Sequence, residues 1–243
     1  MRPVTGAEYV RQITALKSDR LARSAFQELV LRIAPPGAAL FEFGAGTGMD
    51  ARFYAERGFT VAAYDVDPLM CEFFSAHCRE LIDAGRITLE NGGYREFLAR
   101  SRAGDGRAVD LVTSNFAPLN LVGDLRELFA KFHALTGPAG RVLASVLSPY
   151  FMGDLKYGWW WQNLPRLWHT GHFSVAGDQA PIVRRRLTDF ARQCAPYFAL
   201  RRAFPGVPSG ARGADVRPAW LRLSTCRYMF LLFDKQGASP ARH

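Results

Sequence analysis

Apolar and polar positions along the chain switch between two periods. Phe26, Leu29, Val30 and Ile33 recur at steps of three and four, which predicts an amphipathic helix within residues 8–33. Pro35, Pro36 and Gly37 stop it. Residues 38–43 form an apolar run of strand length, residues 49–57 return to the helical period, and Gly58 is a natural stop. The exchange then repeats. Strands are expected at 59–64, 86–90, 108–114 and 141–147, with helices at 69–84 and 121–135 and a turn at 137–140. Such alternation calls for a parallel sheet covered by helices on both faces. Beyond it, residues 181–195 predict a helix. Residues 197–204 and 221–234 predict two further strands around a Pro- and Gly-rich loop at 204–219, and residues 237–243 a frayed tail.

Residues 148–180 break this rhythm. Tyr150, Phe151, Tyr157, Trp159, Trp160, Trp161, Trp168 and Phe173 crowd into them, with Asp154 the only acid between Pro149 and Phe173. Large aromatics without clean periodicity, placed after the fifth strand, read as a lid over an apolar pocket. Packing into the core or into a dimer interface is the competing reading. Three consecutive tryptophans cannot all face one way on a helix or strand. At least one must point to a pocket, a partner or a membrane surface.

Composition narrows the class. The 243 residues are 49% hydrophobic and 22% charged, enough for one large soluble α/β unit, and no run approaches a membrane span. Cys71, Cys78, Cys194 and Cys226 lack paired spacing, which argues against a zinc site or a disulfide framework and for a reducing, cytoplasmic setting. The net charge of +9 is concentrated at residues 181–222, where nine arginines face two aspartates. Such a patch could meet an anion or nucleic acid, but solvated arginines explain it equally well.

The chemistry begins where the first strand ends. Glu42 is followed by Gly44, Gly46 and Gly48, two residues apart, and then by a helix. Glycines permit positive φ and close approach of a ligand, and the helix start offers unpaired N–H groups. A dinucleotide fingerprint would need glycine at position 49, which is Met49. Asp65 lies at the end of the second strand, where a carboxylate can accept hydrogen bonds from two adjacent ribose hydroxyls. Asp67 before Pro68 reads as a helix cap.

The Glu-x-Gly-x-Gly-x-Gly turn and Asp65 resemble motif I and the ribose-binding acid of the class I S-adenosylmethionine-dependent methyltransferases, over about residues 8–234. The resemblance implies a Rossmann-like α/β fold: a seven-stranded, mostly parallel sheet in the order 3-2-1-4-5-7-6, with helices on both faces. It also implies a division into an N-terminal helical cap (1–37), a cofactor-binding core (38–148), an aromatic substrate lid (149–180), and a C-terminal helix with an antiparallel hairpin (181–234). S-adenosylmethionine would be held by Tyr9, Glu42, Gly44, Ala45, Gly46, Asp65, Val66, Gly93, Tyr94, Asn115 and Phe116, with Arg11, Lys17 and Arg20 as carboxylate partners. Residues 91–94 depart from the family's usual Gly-Asp, leaving Gly93 and Tyr94 for adenine.

Ser114, Asn115 and Phe116 would line the methyl-transfer point; they do not match the Asn-Pro-Pro-Tyr pattern of nucleic-acid amine methylation. Tyr150, Trp159, Trp160 and Trp161 would meet the acceptor, and His169 and His172 are the candidate bases. Their spacing alone does not make a metal site. The resulting expectation is methylation of a small hydrophobic or aromatic metabolite at O or N, without metal, with nucleic acid disfavoured and room for a homodimer. An RNA or protein methyltransferase using the arginine-rich face, a nicotinamide enzyme, and a catalytically silent binding protein are the alternatives.

Overall fold

Side chains alternate along strand β1 (Ala39–Phe43), and that alternation sets the layers. Phe41 and Phe43 enter one buried cluster, while Leu40 enters the cluster on the opposite face of the sheet. The computed structural model describes residues 16–100, 108–177, 180–206 and 226–237. On the Leu40 side lie α1 (Lys17–Ile33), α2 (Met49–Ala55) and α3 (Pro68–His77), through Phe26, Val30, Ala51, Tyr54 and Phe74. On the Phe41 side lie α5 (Tyr94–Ala99), α6 (Leu125–Leu135) and α8 (Leu187–Cys194), through Phe97, Phe129, Phe132 and Phe190. The short α4 (Arg79–Asp83) follows α3, because Cys78 at φ −105° and ψ 8° interrupts the single helix expected over 69–84.

The main sheet also contains β2 (Thr60–Asp65), β3 (Ile87–Asn91), β4 (Val109–Ser114), β5 (Thr136–Leu147), β8 (Phe198–Pro205) and β9 (Tyr228–Lys235). Its order is β3-β2-β1-β4-β5-β9-β8. The first five strands are parallel; β9 runs antiparallel to both β5 and β8. Counted within this sheet alone, the order is the expected 3-2-1-4-5-7-6. The chain builds outward from β1 to β3, then returns to place β4 on the other side of β1. Ligand clefts of open α/β sheets lie at such reversals, beyond the strands' carboxyl ends.

Two departures from the sequence expectation concern the region beyond β5. The aromatic stretch contains a helix, α7 (Gly158–Thr170), and a strand, β6 (His172–Val175). Residues 181–195 are not one helix: β7 (Ile182–Arg185) pairs antiparallel with β6, and only then does α8 begin. The β-branched Ile182 and Val183 favour the extended chain. Arg185, 1% exposed, then fixes this ribbon by donating to the carbonyls of Leu119, Val122 and Gly123 at 3.3, 2.6 and 2.7 Å. The expected turn at 137–140 survives as a bulge: Val109 pairs with Thr136, but Leu111 already pairs with Arg141.

Gly44 owes its identity to this fold. Its φ is +73°, and a Cβ there would lie 2.4 Å from Cγ of Pro118. Left-handed strain and overpacking add, so Gly44→Ala should destabilise the protein by about 2–4 kcal/mol. Urea unfolding measures this, and an unchanged midpoint would contradict the Pro118 contact.

Candidate functional site

The turn after β1 curls so that Gly44, Gly46 and Gly48 all take positive φ, at +73°, +55° and +79°. They serve different ends. A Cβ at Gly48 would strike Phe74 and Cys78 at 2.7 and 2.8 Å, so this glycine lets α3 close on the turn. A Cβ at Gly46 would meet nothing within 4 Å. Gly46 therefore faces open space. Its N–H donates to Asp65 Oδ2 at 2.6 Å, and the N–H of Asp67 donates to Oδ1 of the same carboxylate at 2.9 Å. Asp65 is 8% exposed, and burial raises its pKa. Asp67 caps α3 as expected, accepting from the N–H of Leu69 at 2.9 Å.

A small open cleft lies against this turn, lined by Arg23, Glu42, Gly44, Ala45, Gly46, Thr47, Asp50, Asn115 and Phe116. Helix α1 supplies Arg23, β1 supplies Glu42, α2 supplies Asp50, and the end of β4 supplies the rest of the far wall. Phe116 and Ala117 hold φ of +59° and +70°, a pair of left-handed non-glycine residues. Strain of this kind persists where the surroundings enforce it and concentrates at functional sites. Here the enforcement is visible: Phe116 N–H donates to Asn115 Oδ1 at 2.9 Å, and Ala117 N–H to the Ser145 carbonyl at 3.0 Å. The Phe116 ring also lies 4.5 Å below the Arg23 guanidinium and edge-on to Tyr228 at 5.4 Å.

One carboxylate ties these walls together. Asp50 accepts from Arg23 Nη1, from Gln27 Nε2 at 2.7 Å and from Asn115 Nδ2 at 3.0 Å. Helix α1, the glycine turn and the end of β4 are thus joined at a residue only 4% exposed. Neither Asp50 nor Arg23 stood out in the sequence. The sequence points instead to Arg11, Lys17 and Arg20 as carboxylate partners. The available signal was that Arg23 lies three residues before Phe26, close to the apolar stripe of α1.

Glu42 is 2% exposed, and its Oε2 has no hydrogen-bond partner among the described residues. Burial first, and then the Asp50 carboxylate, push its pKa well above the usual range, although Arg23 pulls the other way. The folded protein therefore holds this proton more tightly than the unfolded chain. Stability from the group is fully present below its ordinary pKa of 4.5 and is lost as pH rises through the folded value. Glu42→Gln abolishes that loss. Its melting temperature minus that of the wild type should accordingly grow between pH 4.5 and pH 8, and a constant difference would contradict the assignment.

The remaining expected site residues fall elsewhere. Tyr9 and Arg11 lie outside the described residues. Val66 is 58% exposed. Gly93 caps α5, and its N–H meets Glu96 Oε2 at 3.3 Å. Tyr94 turns inward, edge-on to Phe43 at 6.4 Å, rather than standing beside the loop. Half-buried Tyr150 bonds to the Arg186 side chain. Of the three consecutive tryptophans, Trp160 is buried and donates to the Pro149 carbonyl at 3.0 Å. Trp159 packs on Phe173 at 6.1 Å, and Trp161 is 56% exposed. His169 is exposed near the end of α7, and His172 Nδ1 sits 3.3 Å from Asp189 Oδ2. None of these lines the cleft. Trp159, Trp160, Trp161 and His169 lie on α7 and His172 opens β6, whose partner strand β7 falls where a helix is expected from the sequence.

The donor set suits S-adenosylmethionine. An open backbone turn, a carboxylate at the end of β2 and an orphaned buried carboxylate oxygen face a ligand that carries ribose hydroxyls and positive charge. A family model described as a methyltransferase domain matches residues 15–179. Among solved structures, a TehB-like S-adenosylmethionine-dependent methyltransferase from Corynebacterium glutamicum is 15% identical with a TM-score of 0.57, covering 95% of this chain and 98% of that chain. The 1,6-didemethyltoxoflavin-N1-methyltransferase of Burkholderia thailandensis, solved with 1,6-didemethyltoxoflavin and S-adenosylhomocysteine, is 19% identical with a TM-score of 0.60, covering 96% and 87%. The magnesium protoporphyrin IX methyltransferase of Synechocystis PCC 6803, with bound S-adenosylhomocysteine, is 14% identical with a TM-score of 0.56, covering 89% and 83%. At these identities the likeness is one of fold. No curated protein matches the chain.

Proposed function

The chain belongs to the class I S-adenosylmethionine-dependent methyltransferase family, and from that premise we propose that it methylates a small hydrophobic or aromatic metabolite at oxygen or nitrogen. The cofactor supplies an already activated methyl group, so the protein's task is to hold two reactants in line and keep water away. In this reading Asp65 accepts from the ribose hydroxyls with the lone pairs left by Gly46 and Asp67. Gly46 allows close approach of the ligand to the backbone, and Glu42 faces the positively charged end. Asn115 and Phe116 border the transfer point.

The observation that supports the acceptor class is the Phe116 ring, which lines the cleft just after β4. Phe116 packs edge-on against Tyr228 at 5.4 Å. Placed polar groups among apolar walls are the usual makeup of a small-molecule site. A nucleic-acid acceptor is less well supported, because two of the clustered arginines are already committed. Arg184 is buried against Asp154 and the Ser148 carbonyl, and Arg185 against three carbonyls and Asp189. No helix among the described residues is long and apolar enough to cross a membrane.

Incubation with S-adenosylmethionine and a panel of aromatic phenols, amines and carboxylic acids, read by mass spectrometry, tests the reading. One added methyl group on a panel member is the expected result. Methyl incorporation into RNA or protein, with none in the panel, would overturn it.

A further inference from the structure

Helix α7 carries an outward stripe that the cleft does not use. Trp161, Pro165 and Trp168 stand at i, i+4 and i+7, hence on one side of the helix, and all three are exposed. Trp168 is 74% and Trp161 56% exposed, and Met152 and Tyr157, which precede the helix, are 57% and 45% exposed. The indole N–H of Trp161 is spent on the Leu155 carbonyl at 2.8 Å, so its outward edge is apolar. The opposite side of the same helix, Trp160 and Leu167, is buried. The helix is thus anchored along one stripe while it displays two tryptophans along another.

The charges around that stripe have one sign. Gln162, Arg166 and His169 run beside it at i, i+4 and i+7, and Lys156 precedes it. The Arg186 guanidinium lies 5.8 Å from the Trp168 ring. No aspartate or glutamate occurs from Leu155 to Gly177. Large interfacial aromatics beside basic side chains on an amphipathic helix match an anionic bilayer surface, where the rings enter the headgroup boundary and the cations meet lipid phosphates. We propose that α7 is a peripheral docking face for anionic lipid membranes.

Other occupants fit less well. A two-fold dimer through this face would set Lys156, Arg166 and Arg186 against their own copies, with no acid between Leu155 and Gly177 to receive them. Single-stranded nucleic acid stacks bases on successive rings in a charged groove. Trp161 and Trp168 are about 10 Å apart along a convex helix, several stacking steps from one another. The expectation that one of the three consecutive tryptophans turns outward to a pocket, a partner or a membrane therefore falls on Trp161, and Trp168 extends it.

The test is co-sedimentation of the full chain with vesicles of phosphatidylcholine alone or mixed with phosphatidylglycerol, together with tryptophan emission. Binding to the mixed vesicles, with a blue shift and weakening as salt is raised, is expected. The double variant Trp161→Ser/Trp168→Ser should bind about tenfold or more weakly. Should that variant misfold by circular dichroism, Lys156→Glu/Arg166→Glu carries the same expectation. Absence of wild-type binding to the mixed vesicles overturns the proposal. So does equal binding by the folded variants, a wild-type dimer that they dissociate, or binding to single-stranded RNA but not to vesicles.

Discussion

Asp50→Ala should cost about 3–5 kcal/mol of folding stability, because it removes the carboxylate shared by a largely buried guanidinium and two side-chain amides. Arg23 and Asp50 side chains are only 15% and 5% exposed, and Gln27 and Asn115 donate to the same carboxylate. Each would be left facing a cavity without its acceptor, which costs more than the bonds are worth while made. Asp50→Asn, which keeps the shape and one acceptor, should lose less. Urea unfolding at neutral pH gives the numbers. A loss below about 1 kcal/mol for the alanine variant would mean that the cluster is not a structural hub. A large loss would also indicate that α1 helps to hold the cleft, since two of the three donors come from that helix.

Asp65→Ala should weaken cofactor binding by about 10- to 100-fold, equivalent to about 1.5–3 kcal/mol for lost hydrogen bonds to a charged acceptor. The structure adds a second reason to the one apparent from the position at a strand end. Asp65 holds the Gly46 N–H at 2.6 Å, so its removal also releases the most open residue of the turn. Asp65→Asn should not restore affinity, because its amide would turn a donor toward backbone N–H groups. Calorimetric titration with S-adenosylhomocysteine measures both. Unchanged affinity in the alanine variant would sink the ribose assignment.

These two residues mark how far the sequence could be read. The placement of Asp65 was legible: an acid at the end of a strand, which the structure sets against the glycine turn through Gly46. The same holds for Asp67, whose capping bond to Leu69 follows from its position before Pro68. The parallel, helix-covered sheet follows from local alternation, while its strand order and closing hairpin follow from the resemblance. Asp50 was not legible, since its partners lie 27, 23 and 65 residues away and no local period records them. Gly44 illustrates a subtler gap. Its conservative reading as a ligand-facing glycine misses Pro118, which occupies the space where its side chain would be. The β6–β7 ribbon was hidden for a related reason: charged Arg184, Arg185 and Arg186 looked like a solvated helix face, yet the first two are buried by pairing with distant groups. Long-range burial of charge overrode the local pattern.

The proposed placement of Gly46 against the cofactor is measured most directly by titration of S-adenosylhomocysteine into the wild type and into Gly46→Leu. A side chain at this position meets no protein atom within 4 Å at its Cβ, so the fold should bear little beyond about 1–2 kcal/mol of left-handed strain. The cleft, however, would be filled. Saturable one-to-one binding by the wild type and none by a cooperatively unfolding Gly46→Leu is the predicted result. No heat from the wild type, or the same affinity in both proteins, would contradict it.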